Sequence, residues 1–479
     1  MGHVPNSLTL LHTNDIHSHF EMMSPLAQEI GAQREAAGEE PVLLLDIGDH
    51  MDRAAVETEG TMGQANIDMI NLTAYDAVTI GNNEGLTFTP EMLALAYSGL
   101  LCPVVCCNFV EKATGRPPKW MKRHVILEKQ GIKIGITGAT AVFASFYELL
   151  GWDALDPEAE LQKQCRLLAP QVDILIVLSH LGLPSDRMLA ERLEGVHAIL
   201  GGHTHHVLEE PLMINGTAVC GAGKFGRYLG QLRFGREQEG ASFRFLSGGC
   251  ITVDPALRDT LIAPAAAIHL ERGREVLQET VAIIDRALPL DVQGESPFGN
   301  LLAQAVRRFT GSPLALVNTG QLLGPLPAGT VTTGMLHGLC PSPINPCIVK
   351  LTGLDIRTAL EQSVTAEFRD KAIYGYGFRG HILGSLAVDG LKILYDPKAI
   401  PYDNSMTIWI GGDRLEDERE YNVGTLDMFT FRAGYESIAN GREALFLLPH
   451  FLRDLLRMEL QTPGSLEQCE IRRWEAVTP

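Results

Sequence analysis

Basic charge is in short supply: 39 lysines and arginines against 58 acidic residues leave a formal charge of −19. Such a surface repels polyanions, which argues against a nucleic-acid polymer as partner. A small phosphorylated substrate stays compatible, because bound metal ions invert the sign of the local field. The nine cysteines are odd in number and include no Cys-x-x-Cys pair. Cys106 and Cys107 sit together in an apolar run and read as buried strand thiols, so a reduced, cytosolic protein is expected. Long apolar runs are missing too; residues 172–178 have strand length, far short of a bilayer span, and no membrane partner is expected. The opening MGHVPNSLTLLHTND lacks a basic n-region and an apolar h-region, so no signal peptide is expected and the predicted location is the cytoplasm.

What is present is a repeated plan of apolar strand followed by polar ligand. At 479 residues, with 45% hydrophobic and 20% charged residues, the chain predicts a globular protein of two domains. Residues 8–11 run into Asp15-Ile16-His17, and residues 42–45 into Asp46-Ile47-Gly48-Asp49. Residues 77–80 lead to Gly81-Asn82-Asn83-Glu84, 174–178 to Ser179-His180, and 198–200 to Gly201-Gly202-His203-Thr204-His205. Helical stretches are expected between them at 25–37, 63–72, 90–98 and 157–168, which makes the domain α/β. Open α/β sheets place ligand sites beyond strand C-terminal ends. A hairpin is expected over 124–137, glycine-punctuated strands over 217–234, and a helical joint over 261–288. Beyond residue 291 come short strands, glycine-proline turns and helices at 297–309 and 354–364.

Aspartate, histidine and asparagine together suit Mn, Fe, Co or Zn in an oxygen/nitrogen site. A two-metal centre needs a bridging carboxylate, with its ions about 3.5–4 Å apart. Asp49, after Gly48 at a strand end, is the best candidate bridge. One histidine at a strand end is more often an ordinary core or surface group, and a lone Gly-Asp is usually a turn. The weight lies in the joint order of all five blocks. His19 and His206 flank ligands and are expected to be outer support or solvent-exposed.

These blocks resemble the calcineurin-like metallophosphoesterase signature, and in particular the 5'-nucleotidase/2',3'-cyclic phosphodiesterase family. Leu11-His12-Thr13-Asn14-Asp15-Ile16-His17 is similar to that family's opening block almost letter for letter. Gly226-Arg227-Tyr228-Leu229-Gly230, Pro297-Phe298-Gly299-Asn300-Leu301-Leu302 and residues 349–360 extend the likeness across nearly the whole chain. The resemblance implies one ion held by Asp15, His17, Asp49 and His205, and another by Asp49, Asn82, His180 and His203. It also implies a metal-bridging hydroxide as nucleophile. For the fold it implies a four-layer metallophosphoesterase β-sandwich flanked by helices, followed by an α+β substrate-binding domain. The expected division is 1–260 for the metal domain, 261–288 for a linker helix and 289–479 for the C-terminal domain, which would rotate on the linker.

Several positions depart from the family pattern. Its third block normally reads Gly-Asn-His-Glu with a following aspartate, a proton-handling dyad; here those positions are Asn83 and Leu86. An asparagine can donate a hydrogen bond to a phosphoryl oxygen but cannot transfer a proton near neutral pH. Losing a general acid costs on the order of 10²–10⁴ in rate, least for good leaving groups such as a phosphoanhydride or a strained cyclic diester. The run 81–87 resembles the variant block of a cytosolic YunD-like subgroup. Glu84 could serve as a substitute acid, although a structural role at the turn is the expectation. In the C-terminal domain, Asn318-Thr319-Gly320-Gln321-Leu322-Leu323 stands where the family carries Asn-Gly-Gly-Gly-Ile-Arg, so Leu323 replaces an arginine. The family sandwiches a nucleobase between two phenylalanines. Phe378, Arg379, Phe429 and Phe431, with Asn318, are the substrate-binding candidates here, and Tyr374, Tyr376, Arg369 and Arg432 lie near them in sequence.

The expected function is therefore metal-dependent hydrolysis of a small nucleotide-like phosphate ester, cyclic diester or phosphoanhydride. Asp49 and Asn83 are the expected catalytic residues, and two divalent ions (Mn, Zn, Fe or Co) the cofactors. The alternative is a catalytically weakened metal- and nucleotide-binding sensor. The number of copies in the assembly stays open.

Overall fold

The computed structural model describes residues 5–398, 402 and 406–477; the first four residues of the opening segment read above for a signal lie outside them. The chain divides into two compact units, residues 1–275 and 276–479.

The first unit is built on two facing sheets. One, seven-stranded, has β1 (Ser7–Thr13) and β2 (Val42–Asp46) near its centre and β3 (Ala77–Val78) beside β2. The other, six-stranded, has β4 (Ile174–His180) and β5 (Ala198–Gly201) side by side. β1, β2 and β3 run parallel, as do β4 and β5, so the five ligand blocks leave their strands at C-terminal ends. Leu8, Leu10, Leu43 and Leu45 from the first sheet and Ile174, Ile176 and Leu178 from the second share one core between the sheets. The alternate residues Leu175 and Val177 face a second core with Leu161 and Leu168 of the helix Pro157–Leu168. β4 is thus buried on both faces, which explains its unbroken apolar run. The expected α/β sandwich with helical flanks is the fold observed.

Element boundaries differ from expectation in two instructive places. The first helix spans Phe20–Ala37 and carries Pro25 inside it, so the proline does not mark its start. The helix α1 (Asn82–Thr87) carries the third ligand block. The expected helical joint stops early: α2 (Ile262–Val276) is followed by a strand, Thr280–Ile284, paired with Gly329–Thr332. Thr280, Val281, Ile283 and Ile284 are β-branched, and their preference for a pleated surface ends the helix.

The second unit has a five-stranded mixed sheet with Leu314–Asn318, Glu420–Leu426 and Pro346–Thr352 as consecutive inner strands. α3 (Pro297–Thr310) buries Phe298, Leu301, Leu302 and Val306 in the core and ends at Gly311 in the left-handed region. Among the described residues no helix is long and apolar enough to cross a membrane.

Candidate metal centre

The ligand loops are held in unusual backbone geometry. Asp15, His17, Asp49, His203 and His205 all have φ between 48° and 70°, a region that non-glycine residues seldom adopt. Such conformations cost on the order of 1–3 kcal/mol each and persist where the surroundings over-determine them. The surroundings here are backbone hydrogen bonds between loops: Asp15 N–H donates to Gly48 O, and His17 N–H to Asp49 O at 2.8 Å. Glu84 ties the third block in, accepting from the backbone N–H groups of Gly81, Asp49 and Met51. This is the structural role at the turn.

Two glycines are required by close approach. A Cβ on Gly81 would lie 2.0 Å from Asp49 Oδ1, and one on Gly202 would lie 3.0 Å from His180 Nδ1 and 3.1 Å from Asp15 Oδ2. They give the carboxylates and imidazoles room to converge.

The convergence is tight. Asp15, His17 and His205 offer ligand atoms within 4.8 Å of one another, and so do Asp15, Asp49 and His180. His205 Nε2 is 3.4 Å from Asp15 Oδ1 and from His17 Nε2; His180 Nε2 is 3.4 Å from Asp49 Oδ2. Asp15 therefore belongs to both clusters, with His17 Nε2 3.8 Å and His180 Nε2 3.9 Å from its Oδ1. The His203 ring lies 5.4 Å from that of His180, and the backbone N–H of His203 donates to both Asp15 oxygens. Asn82 Oδ1 and His180 Nε2 are buried without a hydrogen-bond partner. His180 Nδ1 bonds to Ile47 O at 2.7 Å, which fixes the ring and turns Nε2 inward. Unpartnered ligand atoms, paired carboxylates and inward imidazoles are a donor set that fits divalent cations.

Charge distribution agrees. Burial would lower the pKa of His180, but the Asp49 charge, 3.4 Å from its Nε2, outweighs this and pushes it up to about 10. Burial raises Asp49 while the His180 charge, the stronger influence in sum with His17, holds it below the usual carboxylate range. A protonated imidazole thus occupies the electrostatic place of a cation.

Asn83 stands inside this cluster. Its backbone N–H donates to Asp49 Oδ1 at 2.7 Å, and its side-chain amide donates to His17 Nδ1 at 2.9 Å. Asp52 Oδ2 is 3.4 Å from the same His17 nitrogen. Asp52 was not visible as a site residue in sequence, because nothing in Met51-Asp52-Arg53 has ligand spacing. Asn14, which donates to Asp15 Oδ2 at 2.7 Å, and Phe225, 5.9 Å from the His17 ring, were likewise missed. His19 pairs with Glu21 and stacks against Phe225, and His206 bonds to Thr204; neither is among the converging ligand groups.

The C-terminal candidates separate. Asn318 is fully buried, donating to Leu383 O and accepting from Gln321. Phe378 and Phe429 lie in the core of the second unit, Phe429 edge-on to Tyr435. Arg379 is half-buried, its backbone N–H donating to Ser342 Oγ. Phe431 is exposed and stacks on exposed Tyr376, with ring centroids 6.1 Å apart and planes 20° from parallel.

Residues 8–207 match the calcineurin-like phosphoesterase family, and residues 277–435 match the 5'-nucleotidase C-terminal domain. The metallophosphoesterase YunD of Bacillus subtilis is 34% identical over 461 residues, covering 95% of this chain and 99% of YunD. The chain belongs to the 5'-nucleotidase-type metallophosphoesterases. The 5'-nucleotidase of Rattus norvegicus is 23% identical over 83% of this chain and 76% of its own. In fold, this metallophosphoesterase is similar to the Haemophilus influenzae NAD nucleotidase NadN, with a TM-score of 0.69 at 17% identity over 98% and 99% of the two chains. The protein is accordingly a hydrolase of the metallophosphoesterase kind, dependent on divalent metal ions. The sensor alternative finds no support in these relationships.

Proposed function

We propose that this metallophosphoesterase hydrolyses small nucleotide-like phosphate esters, with a preference for good leaving groups such as phosphoanhydrides and cyclic diesters. The observation that carries the proposal is the convergence of Asp15, His17, Asp49, His180 and His205 at strand ends, with Asn82 Oδ1 and His180 Nε2 left unpaired. Asp15, His17, Asp49 and His205 would hold one ion, and Asp49, Asn82, His180 and His203 a second. Ions bound there supply Lewis-acid charge at the phosphoryl group and acidify water. The chain's own residues orient and clamp. Ile47 O fixes the tautomer of His180, and Asn83 N–H holds the Asp49 carboxylate that both ions would share. The Asn83 amide bonds to His17 Nδ1 here; it would donate to a phosphoryl group only by leaving that bond, and it has no proton to give a departing alkoxide. Glu84 is occupied by three backbone N–H groups and does not replace that acid.

Substrate selection is assigned to the C-terminal 5'-nucleotidase domain, where the exposed faces of Tyr376 and Phe431 suit a flat aromatic ring. Nine free thiols, seven of them buried, support a reducing, cytoplasmic setting. The test is turnover by the Mn²⁺-loaded protein of nucleoside monophosphates, diphosphates, 2',3'-cyclic nucleotides and bis(p-nitrophenyl) phosphate. Diphosphates and cyclic diesters should exceed monophosphates; the reverse order would refute the assigned preference.

A further inference from the structure

The loops that carry His17 and Asp49 run side by side, and a buried polar cluster grips both of them one residue beyond the ligand. Backbone bonds join the loops first: His17 N–H donates to Asp49 O at 2.8 Å, and Ser18 N–H to His50 O at 2.9 Å. Ser18 shares the left-handed backbone of His17 and Asp49, with φ 53°. Such conformations persist only where the surroundings hold them.

Asn66 supplies much of that hold. It is fully buried on the helix Gln64–Thr73. Its Nδ2 lies 2.9 Å from Ser18 Oγ, 3.0 Å from His50 O and 3.2 Å from His50 Nδ1, so one amide bridges both loops. Thr58, fully buried on the helix Val56–Thr61, bonds to Asn66 Oδ1 at 2.8 Å and to Ser18 Oγ at 2.7 Å. The three side chains close a ring, and Asp52 N–H adds a bond to Ser18 Oγ at 2.7 Å.

Helix formation does not ask for these residues. Asparagine and threonine are poor helix formers, and burying them costs stability unless their polar atoms are paired. Apolar groups of the same shape would fill the space as well or better. Fully paired, a buried polar cluster rigidifies its members and specifies one arrangement. What this cluster fixes is the backbone next to two converging side chains, with His17 Nε2 3.7 Å from Asp49 Oδ2.

We propose, resting on the assignment of Asp15, His17, Asp49 and His205 to one ion, that Asn66 and Thr58 are positioning residues of the metal centre. Acting through Ser18 and His50, they set His17 against Asp49 and so set the affinity of the ion those two would share. The other ion takes only Asp49 from these loops and depends on the cluster less. Stepwise Mn²⁺ affinities of the full-length protein are measured by calorimetry for the wild type, Asn66→Ala, Thr58→Val and Thr58→Ser, at a temperature where circular dichroism shows each metal-free protein folded. Thr58→Val keeps the side-chain shape and removes the hydroxyl, whereas Thr58→Ser keeps the hydroxyl. Asn66→Ala and Thr58→Val should each weaken one stepwise affinity by about tenfold or more, the usual cost of losing outer support of a ligand, and the other by less than about threefold. Thr58→Ser should bind as the wild type does. A merely structural cluster would lower the melting temperature and leave both affinities of the folded protein unchanged. Two ions bound by the wild type with unaltered affinities in Asn66→Ala and Thr58→Val, or equal losses in Thr58→Val and Thr58→Ser, overturn the positioning role alone. A wild type that binds fewer than two ions overturns the two-ion assignment together with it.

Discussion

Asn83 touches both halves of the ligand set, through its N–H on Asp49 and its amide on His17. Two effects are expected from it and they separate by variant. Asn83→Ala removes the support of His17 and should weaken Mn²⁺ binding by about 10–100-fold, the usual cost of an outer partner of a ligand; calorimetry reads this directly, and unchanged affinity would mean that Asp52 alone orients the ring. Asn83→His restores a group able to carry a proton and should raise turnover of alkyl phosphates more than that of p-nitrophenyl esters. An equal effect on both would place residue 83 away from the leaving oxygen. His180 makes a third prediction. Its raised pKa, about 10, means that the metal-free protein keeps its proton through neutral pH, and ligation must expel it. The proton's contribution to metal-free stability is full below the unfolded value of about 6.5 and fades as pH rises towards 10. Metal binding gains over the same window. The rise in melting temperature on adding Mn²⁺ should therefore grow from pH 6 to pH 9, and calorimetry in two buffers at pH 7.5 should show at least about one proton released per chain. A flat pH response would contradict the assignment of His180 as a ligand.

Among the elements, α2 shows how closely the first unit is packed. Gly60, in the helix Val56–Thr61, would place a Cβ 2.5 Å from Gly273 Cα, and a Cβ on Gly273 would lie 2.5 Å from Val56 O. His269 of the same helix pairs with Asp68 at 3.1 Å. Gly273→Ala is predicted to force the two helices apart at a cost of about 1–3 kcal/mol, lowering the melting temperature while leaving the ligand loops in place. A variant as stable as the wild type would show that the crossing is loose. The elements also show where sequence reading succeeds. Strand ends carrying ligands were legible because β1, β2, β4 and β5 combine apolar runs with abrupt polar blocks, and the parallel pairing of β1 with β2 and of β4 with β5 puts each pair's blocks at one end. The start of the first helix was not, since Pro25 is tolerated within it. Nor was the contact of Asp52 with His17, which depends on the left-handed turns at His17 and Asp49 bringing two loops together. Aromatic residues of the second unit were recognisable by type, but burial of Phe378 and Phe429 beside exposure of Phe431 follows from tertiary packing that no local pattern encodes.

For the whole molecule, family membership and the donor set agree on a hydrolase that works through divalent ions. The acidic chain, at −19, would repel a phosphorylated substrate without them. Chelation is therefore expected to abolish both turnover and substrate binding, with recovery on adding Mn²⁺. The proposal that Asp49 joins two ions in a working hydrolytic centre is tested by hydrolysis of bis(p-nitrophenyl) phosphate by the Mn²⁺-loaded wild type beside an equally folded Asp49→Asn variant. Wild-type turnover should exceed the variant's by at least about 10–100-fold, since loss of a direct ligand costs no less than loss of an outer one. Equal rates in the two proteins would contradict it.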